Sequence, residues 1–341
     1  MRVLVTGGTG YVGARIVADL VAAGHALRLL VRRPEQVPVS LAPYEVEPDE
    51  VVVGDVTDEA AVAAAVDGCD AVVHAAAVFA LDISRAAEME RTNARAAELV
   101  LGHAVRAGLD PVVHISSTVA LTRAGECGPD LPLGDVSSPY SRSKIASEVV
   151  ARRLQAEGAP VVTVYPGGVY GPHDPYRGVN SELLRWILLG LFPMFPAGST
   201  HAVDVRTVSE TVLAVLEPGA GPRRFVVPGG RLDAELMFST VRAVTGRRLP
   251  HVVVPRSLAV PLARVTAAVQ RPLPSRWHYP ADVEGAELAI RDTRFDDSPA
   301  RVELGVVPVP FEQSIRDTTR WLVESGRLPR RFAGRALEPQ R

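Results

Sequence analysis

The chain has almost no lysine. Of its 37 basic residues one is lysine, Lys144, and the rest are arginine. A GC-rich coding bias produces that ratio unaided, but it also removes any lysine that arginine can replace. Lys144 therefore either does something a guanidinium cannot, or has survived by chance. Cysteine is scarce as well. Cys69 and Cys127 stand in unrelated contexts without metal-ligand spacing, so neither a disulfide framework nor a metal site is indicated, and a reducing compartment fits. Long apolar runs are missing. The longest uncharged stretch, about Trp186 to Thr200, is interrupted by Gly190, Pro193, Pro196 and Gly198, and is too short to span a bilayer. It reads as a buried or lid-like loop. No secretory pattern precedes the first strand-like run, Arg2-Val3-Leu4-Val5. With a net charge of -2, no excess of positive charge favours nucleic acid or an anionic membrane. The expectation is a cytoplasmic protein, monomer or homodimer, without nucleic-acid or membrane partners.

What is present is a chain of 341 residues, 47% hydrophobic, able to bury a large core. Its first 165 residues alternate β-rich runs with amphipathic stretches. Candidate strands are Arg2–Thr6, Ala26–Val31, Val51–Val53, Ala71–His74, Pro111–Ser116 and Pro160–Tyr165; candidate helices are Val12–Ala23, Glu59–Val66, Arg85–Ala107 and Tyr140–Glu157. The strands are continuously apolar, the pattern of a parallel sheet covered on both faces. The alternation implies an α/β fold: a Rossmann-type doubly wound parallel sheet with right-handed crossovers. After Tyr165, proline and glycine become dense. Helices are expected at Ser181–Leu191, Ala234–Thr245, Ser257–Val269 and Phe311–Ser325, a strand–helix unit at Val203–Leu216 and a short strand at Arg224–Val227. These outline a nucleotide-binding domain of residues 1–175 and 203–228 and a smaller C-terminal substrate-binding lobe of 176–202 and 229–326. The arginine-rich tail, 327–341, is expected to be unstructured.

The loop Thr6-Gly7-Gly8-Thr9-Gly10-Tyr11-Val12-Gly13 joins the first strand to the first helix. Glycine there permits a tight turn, close approach to a pyrophosphate and close helix–strand packing, while the helix N-terminus offers free amides to phosphate. Gly7, Thr9, Gly10, Tyr11, Val12 and Gly13 are thus candidate dinucleotide contacts; the alternative is an ordinary strand–helix turn. The second strand ends in Arg32-Arg33, with no acid for a ribose 2′-hydroxyl. Two guanidiniums suit a 2′-phosphate and so NADP(H), unless one or both are merely solvated. Asp55 and Val56 follow the third strand, and Ala75, Ala76 and Ala77 the fourth, where small side chains let the backbone pass a cofactor.

Tyr140 and Lys144 stand four apart on one helix face, behind Ser138 as N-cap and Pro139 at the first helical position. A phenol is too weak an acid for neutral pH, and a nearby ammonium is expected to lower its pKa. The ammonium can also bind ribose hydroxyls. At the end of the fifth strand, Ser116, Ser117 and Thr118 can supply a hydroxyl to a substrate carbonyl. Asn93, one of two asparagines, could hold a water relay or make a structural hydrogen bond.

In order, T-G-G-T-G-Y-V-G, G-D-V, H-A-A-A, S-S, Y-S-R-S-K and Y-P-G-G-V-Y-G-P resemble the extended short-chain dehydrogenase/reductases, nearest the dihydroflavonol-reductase-like and 3β-hydroxysteroid-dehydrogenase-like proteins. The resemblance covers about residues 1–326. It implies that Ser117 is the serine, Tyr140 the acid/base and Lys144 its partner, that Ser116 lies by the cofactor, and that Pro166, Gly167 and Val169 border the nicotinamide. Tyr165 departs from the arginine often found before that proline, and Thr207 from a usual aspartate. The expected activity is NADPH-dependent reduction of a ketone or aldehyde on a mainly apolar small molecule, or the reverse oxidation. Candidate substrate contacts are Phe79, Thr118, Tyr170, Tyr176, Phe192 and Phe195, some of which core packing explains equally well. A nucleotide-sugar epimerase with retained NAD and a non-catalytic NADPH-binding protein are the alternatives.

Overall fold

The computed structural model describes residues 1–77, 86–136, 138–271, 279 and 283–339, with the side chains of 86–88 excepted. In chain order the first half runs β1 (Arg2–Thr6), α1 (Tyr11–Ala22), β2 (Ala26–Val31), α2 (Gln36–Leu41), β3 (Glu50–Val53), α3 (Glu59–Val66), β4 (Ala71–His74), α4 (Ala86–Arg106), β5 (Val112–Ile115), β6 (Glu126–Cys127), α5 (Pro139–Ala156) and β7 (Val161–Tyr165). The second half runs β8 (Gly168–Tyr170), α6 (Val179–Leu189), β9 (Met194–Pro196), β10 (Thr200–Asp204), α7 (Val205–Ala214), β11 (Arg223–Val226), β12 (Gly230–Leu232), α8 (Ala234–Thr245), β13 (Val252–Val254), α9 (Arg256–Gln270), α10 (Val283–Arg291), β14 (Arg294–Phe295), α11 (Ser298–Glu303) and α12 (Phe311–Glu324).

Seven parallel strands form the central sheet in the order β11-β7-β5-β4-β1-β2-β3. The continuous apolar runs are explained by alternation between two buried faces. Val3 and Val5 enter one core cluster with Leu27, Leu29 and Val73, while Leu4 enters the other with Leu30 and Val72. Chain direction across the sheet reverses between β1 and β4, the place where a doubly wound sheet opens a crevice at its C-terminal edge.

A three-stranded sheet, β12-β10-β8, and the parallel ribbon β13-β9 carry the remaining helices. A separate core holds this region together, with Leu184, Leu188, Met237, Val241 and Ile315 all essentially inaccessible. The short strands β9, β13 and β14 and helix α10 lie in stretches whose proline content gave no periodic signal.

The tail departs from expectation. Beyond Arg327 the chain makes 3₁₀ turns at Arg330–Phe332 and Gly334–Leu337, and Leu328, Ala333 and Ala336 are buried in the lobe core. Its backbone accepts from Arg247 at Phe332 O (2.9 Å) and from Arg320 at Ala336 O (2.6 Å). Charge and proline density suggested disorder, but Leu328, Ala333 and Ala336, spaced among the arginines, dock the segment, with Phe332 and Leu337 packed beside them. Leu328→Ala should therefore lower the unfolding free energy by about 2–5 kcal/mol. Denaturant unfolding is the check, and a loss under about 0.5 kcal/mol, the level of an ordinary surface substitution, would show that the tail is not part of the cooperative core.

Candidate active site

The β1–α1 turn is closed around its glycines. Gly7 has φ +76°, and a Cβ there would lie 2.6 Å from Ala76 N. A Cβ on Gly13 would lie 2.1 Å from Gly7 O, so the first turn of α1 rests directly on the loop. Gly10 is the N-cap of α1, and no side chain caps it. The leading amides thus stay available at the sheet's C-terminal edge, an arrangement that fits a dinucleotide pyrophosphate. Thr9 is tied down through its carbonyl, which accepts from Ser40 Oγ at 2.9 Å. Val12 packs against the sheet core. The Tyr11 hydroxyl is buried, and a Cβ at Gly171 would lie 3.0 Å from it.

Around this crevice the ends of the neighbouring strands bring the other cofactor candidates together. Ala75 N donates to Thr6 O at 3.1 Å, holding the Ala75–Ala77 segment beside the glycine loop. Arg32 and Arg33 are both exposed at the end of β2. The Arg32 guanidinium lies 3.9 Å from the Asp55 carboxylate, a loose contact that leaves its donors free. Asp55 accepts from Thr57 N and Thr57 Oγ1 at 2.8 and 2.7 Å. Partial burial opposes its charge, but those bonds and Arg32 outweigh it and hold the carboxyl below its ordinary range. Val56 packs against the second core face. Pro166 O accepts from Thr118 N at 2.9 Å. A Cβ on Gly167 would lie 2.3 Å from His201 O, and Val169 pairs with Val203 of β10.

Ser117, Tyr140 and Lys144 converge at the mouth of this crevice. Ser117 caps the short turn Thr118–Ala120, and its hydroxyl accepts from Val119 N at 3.3 Å. It also hydrogen-bonds the Tyr140 phenol. Ser138 caps α5 and Pro139 opens it, as the sequence indicates, which fixes Tyr140 in the first turn. Lys144 is 6% exposed, with Nζ 5.9 Å from the Tyr140 ring centroid. Burial lowers the Lys144 pKa to about 8, opposed by the Glu148 carboxylate one turn further on. Burial also pushes the Tyr140 phenol well above its ordinary value. The Glu284 carboxylate adds to this, and the bond with Ser117 works against it. The lowered phenol pKa expected from the sequence is therefore not found in the cofactor-free protein: desolvation and Glu284 outweigh the bond with Ser117.

Asn93 sits on α4 facing α5 and donates to Ser143 Oγ at 3.2 Å. That bond is the structural role allowed for it. Ser116 is buried beneath the site, and its hydroxyl is one of the lesser influences that oppose the raised pKa of Glu148.

Sequence reasoning missed Glu148. It is fully buried and accepts from Tyr165 Oη at 2.5 Å and from Arg152 Nε at 3.1 Å. Tyr165, which departs from the arginine usual before the proline, thus meets the same helix, and the guanidinium comes from Arg152. The spacing Lys144–Glu148–Arg152 was a readable signal. Behind Lys144 the rings of His74 and His114 stack at 5.6 Å. Burial, then Lys144, lowers the His74 pKa to about 3, and His114 is pushed the same way by burial and by both neighbours. Glu284 was also missed. It lies on α10 and accepts from Ser138 Oγ and Ser141 Oγ at 2.6 and 3.1 Å, at the N-terminus of α5. Nothing in its local sequence signalled it.

An apolar cavity of about 170 Å³ opens in the lobe, lined among others by Tyr170, Phe192, Met194, Phe195, Leu262 and Ala286. Three of the substrate candidates, Tyr170, Phe192 and Phe195, therefore share one wall while also belonging to the lobe core. Thr118 is buried next to Ser117. Tyr176 is not among the lining residues. It is 52% exposed and donates to Gln36 Oε1 at 3.2 Å, because Asp174 captures Gly178 N and Ser181 Oγ and turns the loop toward α2. Phe79 lies outside the described residues. Among the described residues no cluster of acidic, histidine or cysteine side chains could hold a metal.

Residues 3–227 match the model of the NAD dependent epimerase/dehydratase family. The chain belongs to this family. It is an NAD(P)-dependent oxidoreductase of the extended short-chain dehydrogenase/reductase type. Sterol demethylase protein B of Methylococcus capsulatus is 26% identical over 332 residues, covering 96% of this chain and all of that protein. A 3β-hydroxysteroid dehydrogenase/Δ5→4-isomerase of Mycobacterium tuberculosis is 28% identical over 336 residues, covering 90% of this chain and 86% of that one. Among solved structures, gox2253 superposes with a TM-score of 0.76 at 25% identity, covering 96% and 99% of the two chains.

Burying the Lys144 ammonium costs stability. Its folded pKa near 8 lies below the unfolded value, so between about pH 8 and 10 the unfolded chain binds the extra proton and stability rises with pH. In the cofactor-free protein Lys144→Met should unfold at a higher temperature at pH 7, by an amount on the order of 2–3 kcal/mol. It should also lose the rise toward pH 10. Thermal melts across that range check both; a variant less stable at pH 7 would contradict the account.

Proposed function

We propose that the chain reduces a ketone or aldehyde on a mainly apolar small molecule, with NADPH as hydride donor. The observation that carries this reading is the Ser117–Tyr140–Lys144 cluster, joined through α10, where Glu284 acts on the phenol and Gly285 lines the cavity, to a cavity whose described lining residues include no arginine or lysine. Residues 1–175 and 203–228 would hold the cofactor, and 176–202 and 229–326 the substrate. The glycine loop would grip the pyrophosphate, and Arg32 with Arg33 the 2′-phosphate. Pro166, Gly167 and Val169 would border the nicotinamide, which when bound supplies hydride to the carbonyl carbon.

In this reading Ser117 orients the carbonyl oxygen, and Tyr140 delivers its proton to that oxygen as it becomes an alcohol. Burial and Glu284 keep the phenol protonated, which suits a proton donor and favours the reductive direction. The phenolate left behind is stabilised by the Lys144 ammonium, whose charge the Glu148 carboxylate one turn further on favours.

Tyr140→Phe should lower turnover by about 10²–10⁴-fold while NADPH still binds, as read by steady-state kinetics and cofactor fluorescence. The preference for NADPH over NADH should fall about tenfold to a hundredfold in Arg32→Asp, measured as a ratio of kcat/KM values. An unchanged ratio would remove Arg32 from the site. A thermal-shift comparison decides between substrates. Apolar ketones with NADPH should stabilise the protein. Stabilisation by nucleotide sugars alone, with NAD retained through purification, would favour an epimerase.

A further inference from the structure

We infer that helix α10 couples the lobe cavity to Tyr140: an apolar end group about the size of one benzene ring, seated in the cavity, steadies the first turn of α5 and raises turnover as well as affinity. The size follows from the volume. An apolar cavity of about 150 Å³ holds benzene, and this one measures about 170 Å³. The wall that α10 gives it is made of Gly285, Ala286 and Ala289. None of these has a side chain larger than a methyl group. A ligand therefore bears on the helix itself and meets no α10 side chain that can swing aside.

Both ends of α10 are tied to the segment that carries the phenol. At the N-terminal end, Glu284 Oε1 accepts from Ser138 Oγ and Ser141 Oγ, which stand on either side of Tyr140 in the sequence. At the C-terminal end, Arg291 Nη1 donates to Asp135 Oδ1 at 2.6 Å, just ahead of Ser138. The last turn is also fixed within the lobe. Ala289 O accepts from Ser199 N at 3.0 Å, and Asp292 accepts from Ser199 Oγ, Arg231 and Arg256 at 2.6, 2.8 and 2.6 Å. With that end held, a shift in the middle of the helix, where the cavity lies, is passed to Glu284. From there it reaches Ser138, the N-cap of α5, and the turn that holds Tyr140. Proton transfer is sensitive to such a shift, since a misplacement of about 1 Å can cost about a hundredfold in rate. No described lining residue belongs to the Ser117–Tyr140–Lys144 cluster, and α10 is the element that meets both. The effect on turnover rests on the reductase reading; binding in the cavity and its effect on α5 do not.

The test uses the full chain with NADPH, and toluene as the probe. Toluene should raise the melting temperature and slow amide hydrogen exchange in the peptide covering the first turn of α5 by about twofold to tenfold, the range of one hydrogen bond. Ala286→Leu, which fills part of the cavity, should lose the melting shift. Glu284→Ala should keep the melting shift but lose the slowing in α5. Glu284→Gln, which retains an oxygen for the two serine hydroxyls, should keep both. Turnover is compared between a phenyl-bearing ketone and a short water-soluble one. In the wild type the phenyl group should lower KM and raise kcat; in Glu284→Ala the KM gain should remain and the kcat gain fall by about twofold to tenfold. Absence of a melting shift in the wild type, or a shift that Ala286→Leu retains, would overturn the inference. So would α5 exchange that toluene leaves unchanged in the wild type, a result that decides the matter even if Glu284→Ala does not fold. Slowing that persists in Glu284→Ala would do the same. Slowing in a protein that reduces neither ketone would sustain the coupling and remove the reductase reading.

Discussion

The buried ammonium of Lys144 is the constraint on which the site depends. An uncompensated charge at that depth is costly, so the surrounding structure is arranged to tolerate it. Glu148 lies one turn below, kept in place by the Tyr165 hydroxyl and the Arg152 guanidinium. The stacked imidazoles of His74 and His114 stay neutral, first because they are buried and further because a second positive charge beside Lys144 would be repelled. The lysine's depressed pKa measures what remains uncompensated. Part of the protein's stability is thus given up to hold one proton-bearing group next to Tyr140.

The fold delivers that pair because the sheet reverses direction between β1 and β4. The glycine loop follows β1, Ala75–Ala77 follow β4, and Ser117 follows β5, so three strand ends open on one crevice. Helix α5 then runs along the sheet with Tyr140 at its start and Glu148 in its middle. The second lobe touches this frame through Glu284, whose carboxylate meets the first turn of α5. The same helix, α10, lines the apolar cavity through Ala286 and Ala289, so the wall of the cavity and the surroundings of the phenol are set by one element.

Much of this was legible in the sequence. The strands of the parallel sheet are short uninterrupted apolar runs, and a two-faced buried strand can be nothing else once helical stretches alternate with it. Tyr140 and Lys144 were singled out by their spacing and by the rarity of lysine, and Ser117 by the family resemblance. What escaped was long-range. Glu284 reaches Ser138 across 146 residues, and no local pattern records that. The electrostatics of Tyr140 were misjudged because an i,i+4 ammonium is visible in sequence, whereas desolvation is not. The tail was misread because its arginines outnumber the three apolar residues that anchor it.

The most direct test of the central claim follows the hydride and the proton together. NADPH carrying deuterium at the transferable C4 position should be incubated with an apolar ketone that stabilises the protein. The account predicts one deuterium on the carbinol carbon of the product by mass spectrometry, with one NADP⁺ formed per alcohol, and neither in Tyr140→Phe. Interconversion of a nucleotide sugar with no net cofactor oxidation, and no label in any apolar carbonyl, would contradict it.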